Sequence, residues 1–306
     1  MTVFLNPYCD CGRGFAKWRT IEKQVKQESG QFDTVLFSPE PGTSQVEASV
    51  KLSESHLVVA GGDGTVNLVL NAVMQLPENR DITLGAVGLG SSNDFHKPVR
   101  EHSTIEGIPT RIDFANTVLQ DLIRVRFMDR HDNWKTRYGI INASIGITTE
   151  GNAYFSSGNK MLSVLRAISV NASILASAIV AIFRYRDLPV LLTVDHTEQY
   201  EVHLSNLGIL KNPHFTGSLC YDTPIAPDDG KLGINLCYEL GFTERVRMLM
   251  ALANRHFRDL PKTCCWLAEH CSVDSDHNFA LEIDGEVVQA GGANFTVLPK
   301  KVRCCR

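Results

Sequence analysis

The stretch HLVVAGGDGTVNLVLNAV, residues 56 to 73, limits the fold more than any other part of the chain. An apolar run of strand length passes through two glycines, an aspartate, a third glycine and a threonine into apolar positions at helical spacing. A strand delivers its last residue to one edge of a sheet, and the next helix presents free backbone N–H groups there. Negative phosphate fits that end. Gly61, Gly62 and Gly64 let the backbone turn and approach a ligand without side-chain obstruction, and Thr65 brings a hydroxyl to the helix start. Val66, Val69, Leu70, Val73 and Met74 then hold the helix on the sheet. Alone, the loop reads equally well as a tight glycine turn capped by Asp63. It lacks the Lys-Ser/Thr ending of a P-loop and the spacing of a dinucleotide fingerprint.

Around this unit the first third alternates strand-like and helix-like segments. MTVFLN, DTVLFS, residues 56–60 and ITLGAVGL read as strands; FAKWRTIEKQVKQES, residues 43–54 and residues 64–76 read as helices. Repeated βα units predict a parallel sheet flanked by helices. From about residue 110 strand follows strand: RIDFANTVL, DLIRVRFMD, KTRYGIINASIGI, PVLLTVDH, EQYEVHLSNLGIL, GKLGINLCYEL and FALEIDGEVV. A second, all-β domain therefore begins near there. Residues 161–183 are long and apolar but contain Arg166, Asn171 and several serines, which favours a buried or interfacial helix over a spanning one. Its partly exposed apolar face would help a soluble protein meet a lipid.

Charge removes one class of partner. Thirty Lys and Arg against 34 Asp and Glu give a net charge of -4, so no nucleic acid is expected. The first residues lack a secretory pattern, which makes the cytoplasm the default compartment. Nine cysteines, an odd number in a long chain, read as reduced thiols. Cys9-x-Cys11 and the group Cys264, Cys265 and Cys271 lack zinc spacing. The tail KKVRCCR reads as a frayed surface terminus in preference to an acylated tether.

A second loop, GAVGLGSSNDFHKP at residues 85–98, also follows a strand and supplies glycines, two hydroxyls and Asn93-Asp94. Both loops, with Asn6-Pro7 and Gly12 after the first strand, are expected on one sheet edge. GGDGTVN followed by GLGSSNDF resembles the bacterial diacylglycerol kinase family of lipid kinases, which includes sphingosine-kinase-like enzymes. INASIG at 141–146, APDDGKLGI at 226–234 and EIDGEVV at 282–288 fall in the order and spacing of that family's later motifs.

The resemblance implies an NAD-kinase-like parallel α/β domain over residues 1–115, completed by 293–306. A lipid-binding β-sandwich over 116–292 follows, with the active site in the cleft. By the same resemblance Asn6, Ser38, Gly61, Gly62, Asp63, Gly64, Thr65, Asn67 and Ser91 lie where the family holds ATP. Asp63, Asp94 and Asp113 lie where its acidic, magnesium-linked network sits. A second metal falls on the Asp229 side chain and the carbonyls of Ala226 and Lys231, although Asp and Gly favour a turn there regardless. LEIDGEVV is the catalytic-base region: a lipid hydroxyl must lose its proton to a carboxylate as the O–P bond forms. Asp284 and Glu286 alternate with Ile283 and Gly285 and so are expected on one strand face, with either as the base. Taken alone, DGE is a common hairpin turn.

The activity so implied is Mg-ATP-dependent phosphorylation of a lipid such as diacylglycerol or a long-chain base. The protein would be cytoplasmic and peripheral at the membrane surface, with a homodimer as a further expectation. NAD kinase, which shares the GGDGT loop, is the alternative enzyme, and a catalytically weak nucleotide- or lipid-binding relative is the alternative class. The chain departs from the family pattern in three places: Leu68 stands where Glu is usual, Ser91 where Thr is usual, and NPYCDCGRG replaces NPxSG.

Overall fold

The computed structural model describes residues 1–10, 12–37, 43–52, 55–77, 81–99, 103–157, 162, 164–165 and 169–306. Cys11, Ser38 and Arg166 lie outside the described residues. The chain forms two compact units, Met1–Asp121 with Lys300–Arg306, and Leu122–Pro299. The expected switches at 115/116 and 292/293 differ because both observed ones fall inside uninterrupted strands, which no change of composition marks.

In the first unit, β1 (Thr2–Leu5), β2 (Asp33–Leu36), β3 (His56–Gly61) and β4 (Thr83–Gly88) form a parallel sheet in the order β2-β1-β3-β4. Helices α1 (Gly14–Ser29), α2 (Thr43–Leu52) and α3 (Asp63–Val73) connect them. Every residue of β3 after His56 is buried, as a central parallel strand covered on both faces requires. Trp18, Ile21 and Val25 recur at helical spacing on α1 and pack with Val3, Leu5, Val58, Ala60, Val87 and Leu89. Each such burial stabilises by about 1.5–3 kcal/mol. The short hairpin β5 (Thr104–Ile105) and β6 (Ile108–Arg111) adds antiparallel to β4 through Ala86↔Arg111 and Val87↔Thr110.

Two expectations change here. RIDFANTVL is not one strand: β6 stops at Arg111 and β7 (Thr117–Met128) starts after a turn. Asp113 Oδ1 accepts the Ala115 N–H at 3.0 Å, an Asx turn that breaks the strand. The tail is neither frayed nor a tether. It is the end of β17 (Glu286–Cys305), pairing parallel to β4 through Arg303↔Thr83 and Cys304↔Leu84, with Cys304 and Cys305 buried.

The second unit is strand-rich. After β7 come β8 (Trp134–Gly139), β9 (Asn142–Gly146), β10 (Leu188–Val194), β11 (Glu198–Leu210), the pair β12 (His214–Phe215) and β13 (Leu219–Cys220), β14 (Leu232–Tyr238), β15 (Thr263–Ala268) and β16 (His270–Ile283). The long sheet runs β15-β14-β11-β10-β16-β17, and β9 also lies between β11 and β16. Alternate residues, such as Ile123, Val125 and Phe127 or Val190, Leu192 and Val194, enter one shared core. Helices α4 (Ile147–Ser156), α5 (Val170–Arg184) and α6 (Phe242–Asn254) contribute to a second apolar cluster with Ile147, Ile182, Met248 and Leu252. Among the described residues no helix is long and apolar enough to cross a membrane.

Candidate functional site

Because β1, β3 and β4 run parallel, the loops that follow them leave the sheet at the same edge. There the glycines act through closeness. A Cβ on Gly61 would strike the Thr65 side chain at 2.5 Å, and one on Gly90 would meet the Gly62 Cα at 2.5 Å. The backbones of GGDGT and GLGSS therefore touch directly, which only glycine on both sides allows. Asn6 Nδ2 donates to Thr65 Oγ1 at 3.0 Å, joining the first loop to α3. Gly62 is the N-cap residue of α3 and makes no side-chain cap, so Asp63 is not the expected cap. Asp63 Oδ1 instead accepts the Phe95 N–H at 3.0 Å, tying the two glycine loops together.

Asn93 of the second loop and two residues that sequence reasoning left out, Lys17 and His96, complete this edge. Asn93, left-handed at φ 53°, accepts the Gly90 N–H at 2.9 Å and donates to the Gly88 and Gly90 carbonyls. It closes the second loop on itself. Lys17 Nζ lies 2.8 Å from Asp10 Oδ2 and donates to the Leu89 carbonyl at 3.3 Å, bringing a cation to the edge from α1. Its only sequence signal was its position one turn into the helix after the first loop. His96 is buried, and burial reinforced by Arg111 pushes its pKa down to about 3, so it stays neutral.

Of the residues assigned to ATP, Asn6, Thr65 and Asn67 are buried, the glycines line the edge and Ser91 is exposed. Asn71 Nδ2 donates to Asn67 Oδ1 at 3.1 Å. Among the three aspartates, Asp94 is buried and ion-paired with Lys97, and Asp63 reaches the same loop through Phe95. Asp113 is exposed in its own turn. Among the described residues no three His, Cys, Asp or Glu side chains group where they could hold a metal ion.

In the second unit, Asp284 and Glu286 do not share a strand face. Ile283 pairs with Glu286, and Asp284 (φ 47°) and Gly285 (φ 93°) form the two-residue turn between β16 and β17. Asp284 is 2% exposed and accepts three backbone N–H bonds, from Ile140 at 2.8 Å and from Ile141 and Asn142 at 2.9 Å. Glu286 is exposed. Glu282, buried, accepts from Ser144 Oγ at 2.6 Å and from the Gly285 N–H at 3.1 Å, so INASIG and the DGE turn hold each other.

The turn at 226–231 contains a cation of the chain's own. Lys211 Nζ, its side chain fully buried, donates to Asp229 Oδ1 and to the Lys231 carbonyl, both at 2.7 Å. Asp229 also accepts the Ala226 N–H at 2.8 Å and the Lys231 N–H at 3.0 Å. These contacts outweigh the upward push of burial and hold the Asp229 carboxyl below the usual carboxylate range. Magnesium needs oxygens at about 2.0–2.1 Å, and one shared by Asp229 and Lys231 would press against the ammonium. The side chains present do not fit a metal at this turn.

Residues 1–125 match the family model described as the diacylglycerol kinase catalytic domain. The chain is 26% identical to a diacylglycerol kinase of Staphylococcus carnosus, over 98% of this chain and 92% of that one. It is 22% identical to a putative lipid kinase of Staphylococcus haemolyticus, over 80% of this chain and 74% of the relative. In fold it is similar to a putative diacylglycerol kinase from Bacillus anthracis, with a TM-score of 0.74 at 15% identity over 99% of this chain and 96% of that one.

Proposed function

From the match of residues 1–125 to the diacylglycerol kinase catalytic domain model, we propose that the protein transfers the γ-phosphate of ATP to the hydroxyl of a lipid such as diacylglycerol or a long-chain base. The observation that carries this reading is the lock between two glycine loops, Gly62 against Gly90 and Asp63 on the Phe95 N–H, at the carboxyl edge of a parallel sheet. Such an edge offers backbone N–H groups to phosphate. The nucleotide would be held by Asn6, Ser38, Gly61, Gly62, Asp63, Gly64, Thr65, Asn67 and Ser91, with Lys17 adding positive charge.

Magnesium is usually held by one or two carboxylates together with substrate phosphates; Asp63 would be that carboxylate, and Asp94 could join it only by giving up its ion pair with Lys97. It would neutralise charge on the transferred group. Asp113, in a separate turn, is not needed for it. Glu286 is the better proton acceptor for the lipid hydroxyl, since it is exposed while both Asp284 oxygens serve backbone N–H groups.

A membrane-surface location is supported by the second unit. Leu175, Ile179 and Phe183 on α5, and Phe242, Val246 and Met250 on α6, are exposed at successive i, i+4 positions. The Phe183 and Phe242 rings lie 4.8 Å apart, which links the two stripes. Between these helices and α4 lies a narrow apolar cavity lined by Ile147, Phe155, Ile174, Ala178, Met248 and Leu252, suited to an acyl chain.

The test is ATP consumption with diacylglycerol, with NAD, and with no acceptor. Only the lipid arm should turn over, and Asp63→Asn should abolish it. Phosphorylated NAD would establish the alternative enzyme. ATP binding without turnover in any arm would leave a nucleotide-binding relative.

A further inference from the structure

A cavity of about 680 Å3 in the second unit plays no part in the reading above. Its wall is built by strand alternation. On β7, Ile123, Val125 and Phe127 enter the core, which turns Arg124 and Arg126 to the other face; on β17, Ala293, Phe295 and Val297 are buried, which does the same for Asn294 and Thr296. β7 and β17 are neighbours, so the four side chains share one surface. Asp195 and His196, in the turn between β10 and β11, and Glu269 and His270, at the start of β16, complete the lining with Trp134 at the rim. The cavity lies at the first residue of β16, whereas the DGE turn follows its last.

The wall holds buried nitrogens that have nothing to serve. Arg124 Nε and His270 Nδ1 are buried without a hydrogen-bond partner among the described residues. Leaving such a group unmade costs about 1–3 kcal/mol. The carboxylates nearby are already engaged: Asp195 Oδ1 accepts the N–H groups of Glu269 and His270 at 2.9 Å, and Glu269 pairs with Lys231 at 2.7 Å. Neither Arg124 nor Arg126 has a carboxylate within ion-pair distance among the described residues. Arg126 lies over the exposed Trp134 ring at 5.4 Å. Asp195 (φ 45°) and His196 (φ 62°) both take the left-handed conformation, which places the His196 ring on His270 at 3.9 Å. Side chains other than glycine carry strain there.

Two guanidinium groups, an imidazole, an amide and a hydroxyl facing one cavity match a ligand rich in acceptors and doubly charged. Guanidinium forks favour phosphate over a single carboxylate. We infer that this cavity binds a phosphate monoester, through Arg124 and Arg126 with His270, Asn294 and Thr296. The group has two possible sources, a soluble phosphoester or the headgroup of a phospholipid.

Calorimetry of the full chain with glycerol 3-phosphate tests the soluble source. Co-sedimentation with phosphatidylcholine vesicles, with and without phosphatidic acid, tests the lipid one. In at least one arm the wild type should bind, and Arg124→Gln with Arg126→Gln should weaken that binding about tenfold or more. Because Arg126 is exposed, Arg126→Gln alone keeps the fold and should weaken binding in the same arm. Circular dichroism identifies any variant that fails to fold. Failure of the wild type in both arms overturns the inference, as does undiminished binding by folded variants, which would locate the phosphate elsewhere. The kinase assay is independent of each result.

Discussion

Asp284 and Glu286 are two residues apart and do opposite things. Asp284 accepts three backbone N–H groups in a buried place, so Asp284→Asn would set an amide N–H against donors and should cost about 2–3 kcal/mol of stability, read as a lower denaturation midpoint. Glu286→Gln should leave that midpoint unchanged and lower lipid phosphorylation by roughly 10²–10⁴. If the two variants exchanged phenotypes, the assignment of the base would be reversed. An Asp-Gly pair between apolar runs is a hairpin signal readable in the sequence, and here it overrides the strand period that would put both carboxylates on one face. Lys211 is a second residue-scale case. Its charge at Asp229 predicts that chelation with EDTA leaves the melting temperature of the ligand-free protein unchanged. Lys211→Met should destabilise by only about 1–3 kcal/mol, because Asp229 stays in reach of water and keeps the Ala226 and Lys231 N–H groups. A clear EDTA-induced fall in melting temperature would show that metal occupies the turn after all. No sequence pattern pairs residue 211 with 229, since the contact depends on where β11 ends.

Single elements were legible where their period was strong. β3, α3 and β4 stand within three residues of the expected bounds at either end, because apolar runs and glycine punctuation agree there. Helices α4 and α6 went unread amid strands, although Val246, Leu249, Met250 and Leu252 carry helical spacing on α6. Their exposed partners predict behaviour. Replacing Ile179 and Phe183 by Ser on α5 should reduce vesicle binding in co-sedimentation with little loss of stability, since both are largely solvent-facing. Equal binding by the variant would remove this face from the membrane reading. The turn of β10–β11 against β16 predicts a pH effect. Burial first, then the stacked His196 and Arg124, lower the His270 pKa against the opposing pull of Asp195. The unfolded chain therefore takes the proton first, near pH 6.5. This contribution is present above that value and lost as pH falls below it. Urea midpoints at pH 7.5 and 5.5 should converge in His270→Gln relative to the wild type, and identical pH slopes would refute the assignment.

At the scale of the whole molecule, the order of a parallel α/β unit and then a strand-rich one was legible from the change in periodicity near residue 110. The return of the chain to its first unit was visible only through the resemblance. Local pattern cannot reveal it, because KKVRCCR looks polar and terminal while its partner, β4, lies more than 200 residues earlier in the chain. Burial decides the question, since Val302, Cys304 and Cys305 are enclosed beside β4. Burial also pushes the Cys304 and Cys305 thiols up to about 12, which leaves about a thousandfold less thiolate than an ordinary cysteine at neutral pH. Iodoacetamide should therefore label both residues slowly in the folded protein and fast in urea, as mass spectrometry of the C-terminal peptide would show. Deleting residues 300–306 should cost the first unit about 3–6 kcal/mol, from the lost apolar burial and the strand bonds to Thr83 and Leu84. ATP affinity should fall with it, because β4 leads directly into the loop that holds Gly90 and Asn93. A truncated chain that melts at the wild-type temperature and binds ATP as tightly would mean that the last strand is an ornament on a sheet already complete at β4.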